Sequence, residues 1–203
     1  MRAAVSRFDA AYYARHYESR RTAVTSRLEM ARRARFIAAY LKYGELSIRS
    51  ILDAGCGLGW MRRPLLAQFP SARYLGLEVS EYLCRKHGWT QGSLAAHRTR
   101  TPYDLVICYD VLQYVDEAEA RQAMANLARV TRRALYFSAL TREDWHYRCD
   151  QSLTDGNVHL RPATWYRSRL ARHFDHLGGG LYLRRGMGVN LWELERPPGL
   201  EAR

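Results

Sequence analysis

The feature that most constrains this chain is residues 51–60, where an apolar strand pattern ends at a carboxylate and runs through three glycines. The spacing is Asp-x-Gly-x-Gly-x-Gly and starts at Asp53. Glycine has no Cβ, so it can adopt positive φ and lets a ligand approach the backbone closely. A helix that starts after such a turn directs its free N–H groups at the ligand. The pattern predicts a strand, a tight turn and a helix that together bind a polar small molecule.

A second carboxylate, Glu78, follows Gly59 by 19 positions and ends another short apolar run, residues 74–77. An acid at the end of the second strand suits a ribose diol, because the two hydroxyls can donate to its two oxygens. Ser80 and Glu81 follow after Val79 and also predict a helix start, with Ser80 as the N-cap. The two interpretations are compatible.

From residue 50 to residue 139, short apolar runs alternate with helical patterns, which is typical of a parallel sheet covered by crossover helices. The predicted strands are residues 50–54, 73–78, a short one near Trp89, 104–109 and 134–139. The predicted helices are residues 60–69, 81–87 and 116–130. Only 13 residues, 91–103, separate the third strand from the fourth, so the crossover helix there is expected to be short or missing.

The flanks of this core are predicted to be helical at the front and mixed at the back. Residues 8–43 have the apolar spacing of a helix, with Gly44 as its stop. Residues 141–161 have no clean period and are expected to run over the ligand end of the sheet. A helix at 162–174, a break at glycines 178–180 and strand-like runs at 181–184 and 189–195 predict a final hairpin.

These motifs, together with residues 103–115, resemble the class I S-adenosylmethionine-dependent methyltransferases. The resemblance covers residues 50–139. It implies an α/β fold with a doubly wound, mostly parallel seven-stranded sheet of the Rossmann-like methyltransferase kind, an antiparallel C-terminal hairpin and an N-terminal helical cap. We expect one domain over 1–203, with the cap at 1–45, the cofactor-binding core at 50–140 and the substrate loop, helix and hairpin at 141–196.

The resemblance also implies the cofactor, S-adenosylmethionine, its product, S-adenosylhomocysteine, and the residues that hold them. Asp53 would accept from N–H groups of the turn and orient it, and Glu78 would hold the ribose. Ser93 stands where the family often has an acid for the adenine amine. The full implied set is Asp53, Gly55, Cys56, Gly57, Gly59, Trp60, Glu78, Val79, Gly92, Ser93, Tyr109, Asp110 and Val111.

The methyl acceptor is expected to contact the segment 145–166, which is dense in ionisable and aromatic side chains. His146 or His159 would be the general base for an oxygen nucleophile. Arg161 would bind a carboxylate or phosphate with two hydrogen bonds, and Asp155 completes the candidate catalytic set, although residues 155–157 also form a turn pattern. No metal site is expected, since the oxygen ligands are not clustered.

An enclosed pocket of this kind favours a small-molecule acceptor with an oxygen or nitrogen nucleophile, methylated by in-line displacement. The net charge of +12, in which 30 of the 32 basic residues are arginine, keeps nucleic acid open as a partner. The alternatives are therefore an RNA or protein methyltransferase that uses the basic N-terminal face, and a non-catalytic interaction protein that keeps a cofactor pocket. Tyr12, Tyr13 and Tyr17 are expected to fold over the cofactor as a lid.

Several other classes are disfavoured. Nicotinamide-dependent oxidoreductases typically have the motif Gly-x-Gly-x-x-Gly, and this chain has Trp60 at the position of the third glycine. The chain lacks Asn/Asp-Pro-Pro-Tyr, and none of its four cysteines follows a proline, which disfavours amide, exocyclic amine and cytosine carbon-5 methylation. No apolar run approaches the ~20 residues that cross a bilayer, and the scattered cysteines favour a reducing cytoplasm. The oligomeric state stays open.

Overall fold

The computed structural model describes residues 7–19, 21–187, 189 and 192–195. The helices are α1 (Ala10–Tyr13), which continues into a π-helical turn (Ala14–Glu18), α2 (Arg27–Tyr43), α3 (Arg62–Gln68), α4 (Glu81–His87), α5 (Glu117–Val130), α6 (Arg142–Tyr147) and α7 (Ala163–Leu170). The strands are β1 (Ser50–Ala54), β2 (Arg73–Glu78), β3 (Thr90–Gln91), β4 (Tyr103–Tyr109), β5 (Thr131–Ser138), β6 (Phe174–Gly178) and β7 (Leu181–Arg184). Short 3₁₀ turns cover Leu112–Tyr114 and Glu193–Glu195. None of the helices in this described part is long and apolar enough to span a membrane.

The strands form one sheet in the order β3-β2-β1-β4-β5-β7-β6. The first five are parallel to one another, and β7 pairs antiparallel with both β5 and β6. The chain moves outward from β1 in one direction and then returns to β4 on its other side. The carboxyl ends of β1 and β4 therefore flank the switch point at which open α/β sheets bind ligands. The predicted fold class is confirmed.

Helices cover both faces of the sheet, and successive residues of the central strands contact opposite layers. Ile51 and Ile107 pack with α2 and α3, whereas Leu52 and Val106 pack with α5 and α7. Strands buried on both sides need continuous apolar runs, which is why β1 and β4 could be predicted from their sequences. As expected, no helix crosses between β3 and β4.

The prediction of one helix over residues 8–43 is wrong. The helical pattern is interrupted between Ser19 and Ser26, where hydroxyl-bearing and β-branched residues are concentrated. Ser26 starts α2 instead, because its side chain accepts a hydrogen bond from the Glu29 N–H. Gly44 ends that helix as predicted. The break lets α1 and the π-helical turn leave the α2 axis and lie over the ligand end of the sheet.

The final hairpin is also shifted from its predicted position. Gly178 ends β6, Gly179 and Gly180 connect it to β7, and the predicted helix at 162–174 ends at Leu170. Three consecutive glycines, all with positive φ, make this reversal possible. The strand predicted at 189–195 falls partly outside the described residues, and its described end, Glu193–Glu195, is a 3₁₀ turn.

The carboxylate of Asp104 ties together the amino-terminal ends of three strands. It accepts hydrogen bonds from the backbone N–H groups of Arg49 and Ser50 at 2.9 and 3.1 Å and from the guanidinium groups of Arg132 and Arg133. Burial at 1% exposure would raise its pKa. The hydrogen bonds from Arg49 and Arg132 outweigh burial, so the pKa of Asp104 is lowered.

We expect Asp104→Asn to lower the free energy of unfolding at pH 7 by about 3 kcal/mol, because charge-assisted bonds are lost at a buried position. The folded-state pKa is the lower one, so this stabilisation is present above the ordinary carboxyl pKa and disappears as the pH falls through the folded value. Urea titration of both proteins measures it. The control is Asp175→Asn, whose ion pair with Arg185 is at the surface and should contribute less than about 1 kcal/mol. Equal losses at the two positions would contradict the assignment.

Candidate active site

Backbone and side-chain acceptors of β2 hold the glycine-rich turn after β1. The N–H groups of Gly55 and Cys56 donate to the carbonyl of Leu77 at 2.7 and 3.3 Å. The N–H of Gly57 donates to Oε2 of Glu78 at 2.8 Å. The glycine-rich turn and Glu78, which the sequence presents as two separate motifs, are therefore joined by hydrogen bonds into one unit.

Asp53 does not orient this turn in the way the motif predicted. Its carboxylate accepts a hydrogen bond from the Tyr74 hydroxyl, whereas the turn's N–H groups are bound by β2. Burial raises the pKa of Asp53 to about 6, although the hydrogen bond from Tyr74 opposes the shift. Asp53 is thus a buried acid at the floor of the site, with a neighbour that favours its charged form.

The glycines of the turn have different reasons for lacking a side chain. A Cβ on Gly55 would lie 2.3 Å from Val111, and one on Gly59 would lie 2.4 Å from Trp89. A Cβ on Gly57 would meet no atom within 4 Å, although Gly57 also has a positive φ of +52°. Gly55 and Gly59 are therefore required by packing, and Gly57 faces open space.

Glu78 is buried and uses both carboxylate oxygens. One accepts from Gly57, and the other accepts from the N–H groups of Val79 and Ser80 at 2.8 and 3.0 Å. Burial raises its pKa, and the three N–H groups oppose that shift by stabilising the anion. Ser80 caps α4 through Leu83 as predicted. The carboxylate is held in a fixed orientation at the carboxyl end of β2.

Two adjoining cavities occupy the switch point. The larger cavity, about 580 Å³, is lined on the β2–β3 side by Glu78, Val79, Gly92 and Ser93. The smaller cavity, about 340 Å³, extends from Asp53, Cys56 and Trp60 towards α6 and the loop after it. Six residues line both cavities and define what we call the junction: Tyr12, Tyr17, Gly55, Gly57, Asp110 and Tyr114.

Most residues predicted to bind the cofactor line these cavities. Among the residues that follow β4 or end it, Tyr109 lines the smaller cavity, Val111 lines the larger one and Asp110 lines both. Gly59 lines neither cavity and instead makes room for Trp89, whose ring N–H donates to the Gly57 carbonyl at 2.9 Å.

Asp110 has an unusual backbone for a residue with a side chain. Its φ is +54°, and its N–H donates to the carbonyl of Ser138 at 2.9 Å, which joins the ends of β4 and β5. Burial raises the pKa of Asp110 to about 6. Strained backbone of this kind costs about 1–3 kcal/mol and is concentrated at functional sites. Its location at the junction agrees with such a role.

The N-terminal segment covers the junction with aromatic rings. The Tyr12 hydroxyl lies 3.2 Å from that of Tyr114, and the ring of Tyr17 packs edge-on against Trp60. The Arg7 guanidinium binds the Asp155 carboxylate and the Asn157 carbonyl. Residues far apart in the sequence thus enclose the cavities from the side opposite the sheet. Whether the segment opens as a lid stays a prediction.

Arg161 has a different role from the predicted one. It is 5% exposed and lines neither cavity. Its guanidinium binds Glu117 at 3.0 Å and donates to the carbonyls of Leu112 and Val115 at 2.8 and 2.7 Å. Its donors therefore support the loop after β4 and are not directed at a substrate carboxylate or phosphate.

Of the other residues predicted to contact the acceptor, two line a cavity and one does not. Asp155 lines the smaller cavity, but its carboxylate is engaged by Arg7. His159 is exposed at the rim of the larger cavity, and its backbone N–H donates to the Gln113 carbonyl. His146 is exposed on α6 and lines neither cavity. The short helix α6 was itself missed, although its Thr141-x-x-Asp144 capping box could have predicted it.

Two polar residues of the smaller cavity had not been assigned a catalytic role. Gln113 is 3% exposed, and its Oε1 has no hydrogen-bond partner. The Nδ1 of His16, on the π-helical turn, is also buried without a partner. No motif in the sequence marks His16, because only the break before α2 brings it over the sheet. No group of three or more His, Cys, Asp or Glu that could hold a metal ion occurs among the residues that the structure describes.

Comparison with known proteins identifies this architecture. Residues 52–133 match the family model of a methyltransferase domain. Magnesium protoporphyrin IX methyltransferase from Synechocystis PCC 6803, solved with bound S-adenosylhomocysteine, has a TM-score of 0.64 at 19% identity, covering 90% of this chain and 99% of its own. N-methyltransferase NodS from Bradyrhizobium japonicum WM9 has a TM-score of 0.55 at 16% identity, covering 77% and 88%. The sugar N-methyltransferase KedS8 from Streptoalloteichus sp ATCC 53650 has a TM-score of 0.57 at 18% identity, covering 76% and 87%. No curated protein matches the sequence.

The fold and the matched model thus define a methyltransferase domain, and the resemblance drawn from the motifs is confirmed. Residues 52–133 of the chain match a methyltransferase domain, in the fold of structures solved with S-adenosylmethionine or S-adenosylhomocysteine bound.

We expect Arg161→Met to lower the free energy of unfolding by about 3 kcal/mol, because it leaves the carbonyls of Leu112 and Val115 without their donor and removes one ion pair of Glu117. Arg121→Met is a matched control, since Arg121 pairs with the same Glu117 at 2.7 Å but is well exposed and should contribute less than about 1 kcal/mol. Urea titration compares the two variants. A stable Arg161→Met protein that has lost only acceptor binding would restore the original prediction.

Proposed function

We propose that the protein transfers the methyl group of S-adenosylmethionine to an oxygen or nitrogen nucleophile of a small-molecule acceptor. The observation that carries the proposal is the pair of adjoining cavities at the switch point, one lined by the buried Glu78 carboxylate and the other lined by polar and aromatic side chains. Small-molecule sites are concave, mostly apolar and carry a few polar groups that fix orientation.

The larger cavity suits the adenosine part of the cofactor. Oε2 of Glu78 retains one lone pair for a ribose hydroxyl. Ser93 lines the cavity and can contact the adenine, and Val111 offers an apolar wall. Gly57 has no atom within 4 Å of where its Cβ would be, so the cofactor can approach the backbone there. When bound, S-adenosylmethionine supplies an electrophilic methyl group on a positively charged sulfur. Asp53 and Asp110 provide the negative charge that favours such a group near the junction.

The smaller cavity suits the acceptor. Its volume of about 340 Å³ and its cover of N-terminal aromatic rings favour a compact molecule over a polymer. Nucleic acid would need an open basic channel with aromatic platforms for a splayed base. Two of the similar methyltransferases are named for magnesium protoporphyrin IX and for sugars, which are small molecules. The protein's part in the reaction is to align acceptor and methyl group for in-line displacement and to exclude water.

Gly57 and Gly88 provide a matched test of the cofactor site. Both have positive φ, of +52° and +71°, and at both an added Cβ would meet no atom within 4 Å. Each alanine variant should therefore lose about 1–2 kcal/mol of stability to backbone strain. Only Gly57→Ala should weaken S-adenosylhomocysteine binding, by about tenfold or more, since only its methyl group would enter the cavities. Calorimetry measures the binding. Equal binding by the two variants would contradict the site.

The acceptor class is tested with methyl-labelled S-adenosylmethionine and a cell extract separated by size. We expect the label to be transferred to the low-mass fraction and not to RNA or protein. Label that accumulates in RNA would favour the basic N-terminal face as the acceptor site, and label in protein would favour a peptide acceptor. Cofactor binding with no transfer to any fraction would support a non-catalytic role.

A further inference from the structure

We propose that His16 is a catalytic residue that takes the proton of the acceptor's nucleophile during methyl transfer. This inference rests on the function proposed above and deepens it. It replaces His146 and His159 as the general base, and it implies an acceptor whose nucleophile still carries a proton, such as a hydroxyl or an amine.

The location of His16 is the first argument. Its side chain lines the smaller cavity and not the larger one, so it lies on the acceptor side. Its ring packs against that of Tyr12, with 4.7 Å between ring centroids, and Tyr12 belongs to the junction where the two cavities meet. His16 is therefore next to the point at which an acceptor in the smaller cavity would meet a methyl group from the larger one.

The backbone around His16 holds the ring in this location. The π-helical turn Ala14–Glu18 continues α1, and π-helical turns occur often at functional sites. The His16 carbonyl accepts the Val24 N–H at 2.9 Å, which fixes the segment that leads into α2. The ring thus belongs to an ordered cover over the site and not to a free terminus.

The unpaired nitrogen is the second argument. Nδ1 of His16 is buried and has no hydrogen-bond partner in the structure. A buried polar atom without a partner costs about 1–3 kcal/mol, and such an atom beside a cavity is positioned for a ligand group. Gln113, also on the wall of the smaller cavity, has an unpaired buried Oε1. The two atoms could bind the same acceptor, His16 as base and Gln113 as an orienting group.

The other ionisable groups of the smaller cavity are less suited to take this proton. Asp155 is bound to Arg7, and Asp144 accepts from Thr141 in the α6 capping box. Burial raises the pKa of Tyr12 and Tyr17 far above the physiological range, so both hydroxyls stay protonated.

Asp53 and Asp110 are the other two aspartates that line the smaller cavity. Asp53 accepts from Tyr74 at the floor of the site, and Asp110 is at the junction. His16 is a neutral base that lines the smaller cavity and not the larger one.

The charges that face His16 come from the N-terminal segment itself and from the loop after α6. Burial lowers the pKa of the imidazole below its ordinary value of 6.5, and Arg15 and Arg7 lower it further. Asp155 and the backbone of Leu153 act in the opposite direction. The net shift is downward, so the ring is neutral at pH 7 and can accept a proton.

The proposed step balances without a further reactant. The acceptor's oxygen or nitrogen forms a bond to the methyl carbon, and the carbon–sulfur bond breaks with its electron pair moving to sulfur. The proton of the nucleophile moves to Nδ1 of His16 and is then released to water. The products are the methylated acceptor, S-adenosylhomocysteine and one proton.

The experiment compares His16→Gln with His146→Gln, which changes an exposed histidine outside both cavities. The probe is the low-mass fraction of a cell extract with methyl-labelled S-adenosylmethionine. We expect wild type and His146→Gln to transfer label at equal rates and His16→Gln to be slower by about 100-fold or more. S-adenosylhomocysteine binding by calorimetry should be unchanged in both variants, which separates a loss of chemistry from a loss of fold or cofactor binding.

The pH dependence gives a second readout. The wild-type rate should rise with pH through a midpoint below 6.5, where His16 loses its proton, and His16→Gln should lack this acidic limb. If His16→Gln does not fold, the wild-type protein still tests the proposal. The acidic limb of its pH–rate profile must coincide with the titration of the His16 ring measured by NMR. A His16→Gln rate close to wild type, or a limb that does not follow the ring, would overturn the role of His16. Failure of the wild-type protein to transfer any label would instead overturn the proposed function itself.

Discussion

The hydrogen bond from the Gly57 N–H to the Glu78 carboxylate is the contact on which the site depends. It joins the turn after β1 to the end of β2, while the carbonyl of Leu77 holds Gly55 and Cys56 beside it. A carboxylate that is buried without partners would be expensive, and the backbone donors make its burial possible. The same bonds fix its orientation towards the larger cavity. The proposed cofactor contact of Glu78 and the stability of the turn therefore share one set of atoms.

The N-terminal segment converts an open crevice into an enclosed site. In a bare α/β sheet, the carboxyl ends of β1 and β4 would be open to solvent. Tyr12 and Tyr17 line both cavities, and Arg7 connects the segment to Asp155 in the loop after α6. Enclosure strengthens the electrostatic interactions inside, because it lowers the local dielectric. It also raises the pKa of buried acids such as Asp110, whose value rises to about 6.

The errors made on the acceptor side share one physical cause. The sequence predicts Arg161 and His146 as acceptor-side residues because polar, aromatic loop segments often line substrate pockets. Sequence composition does not show which way such a side chain points. Arg161 turns inward to bind the carbonyls of the loop after β4, and His146 lies on the exposed side of α6. Both outcomes depend on how α6 and α7 pack, which no local pattern encodes.

The sequence by itself determined the sheet core and the cofactor motifs of this protein. Buried parallel strands require continuous apolar runs, and a turn with positive φ requires glycine, so both leave local signals. Only the tertiary structure decided which residues line the smaller cavity. His16 and Gln113 line the same cavity although they are far apart in the chain, and Arg7 meets Asp155 across 148 positions. Contacts over such separations arise from packing and loop closure, and they leave no periodicity by which a sequence could reveal them.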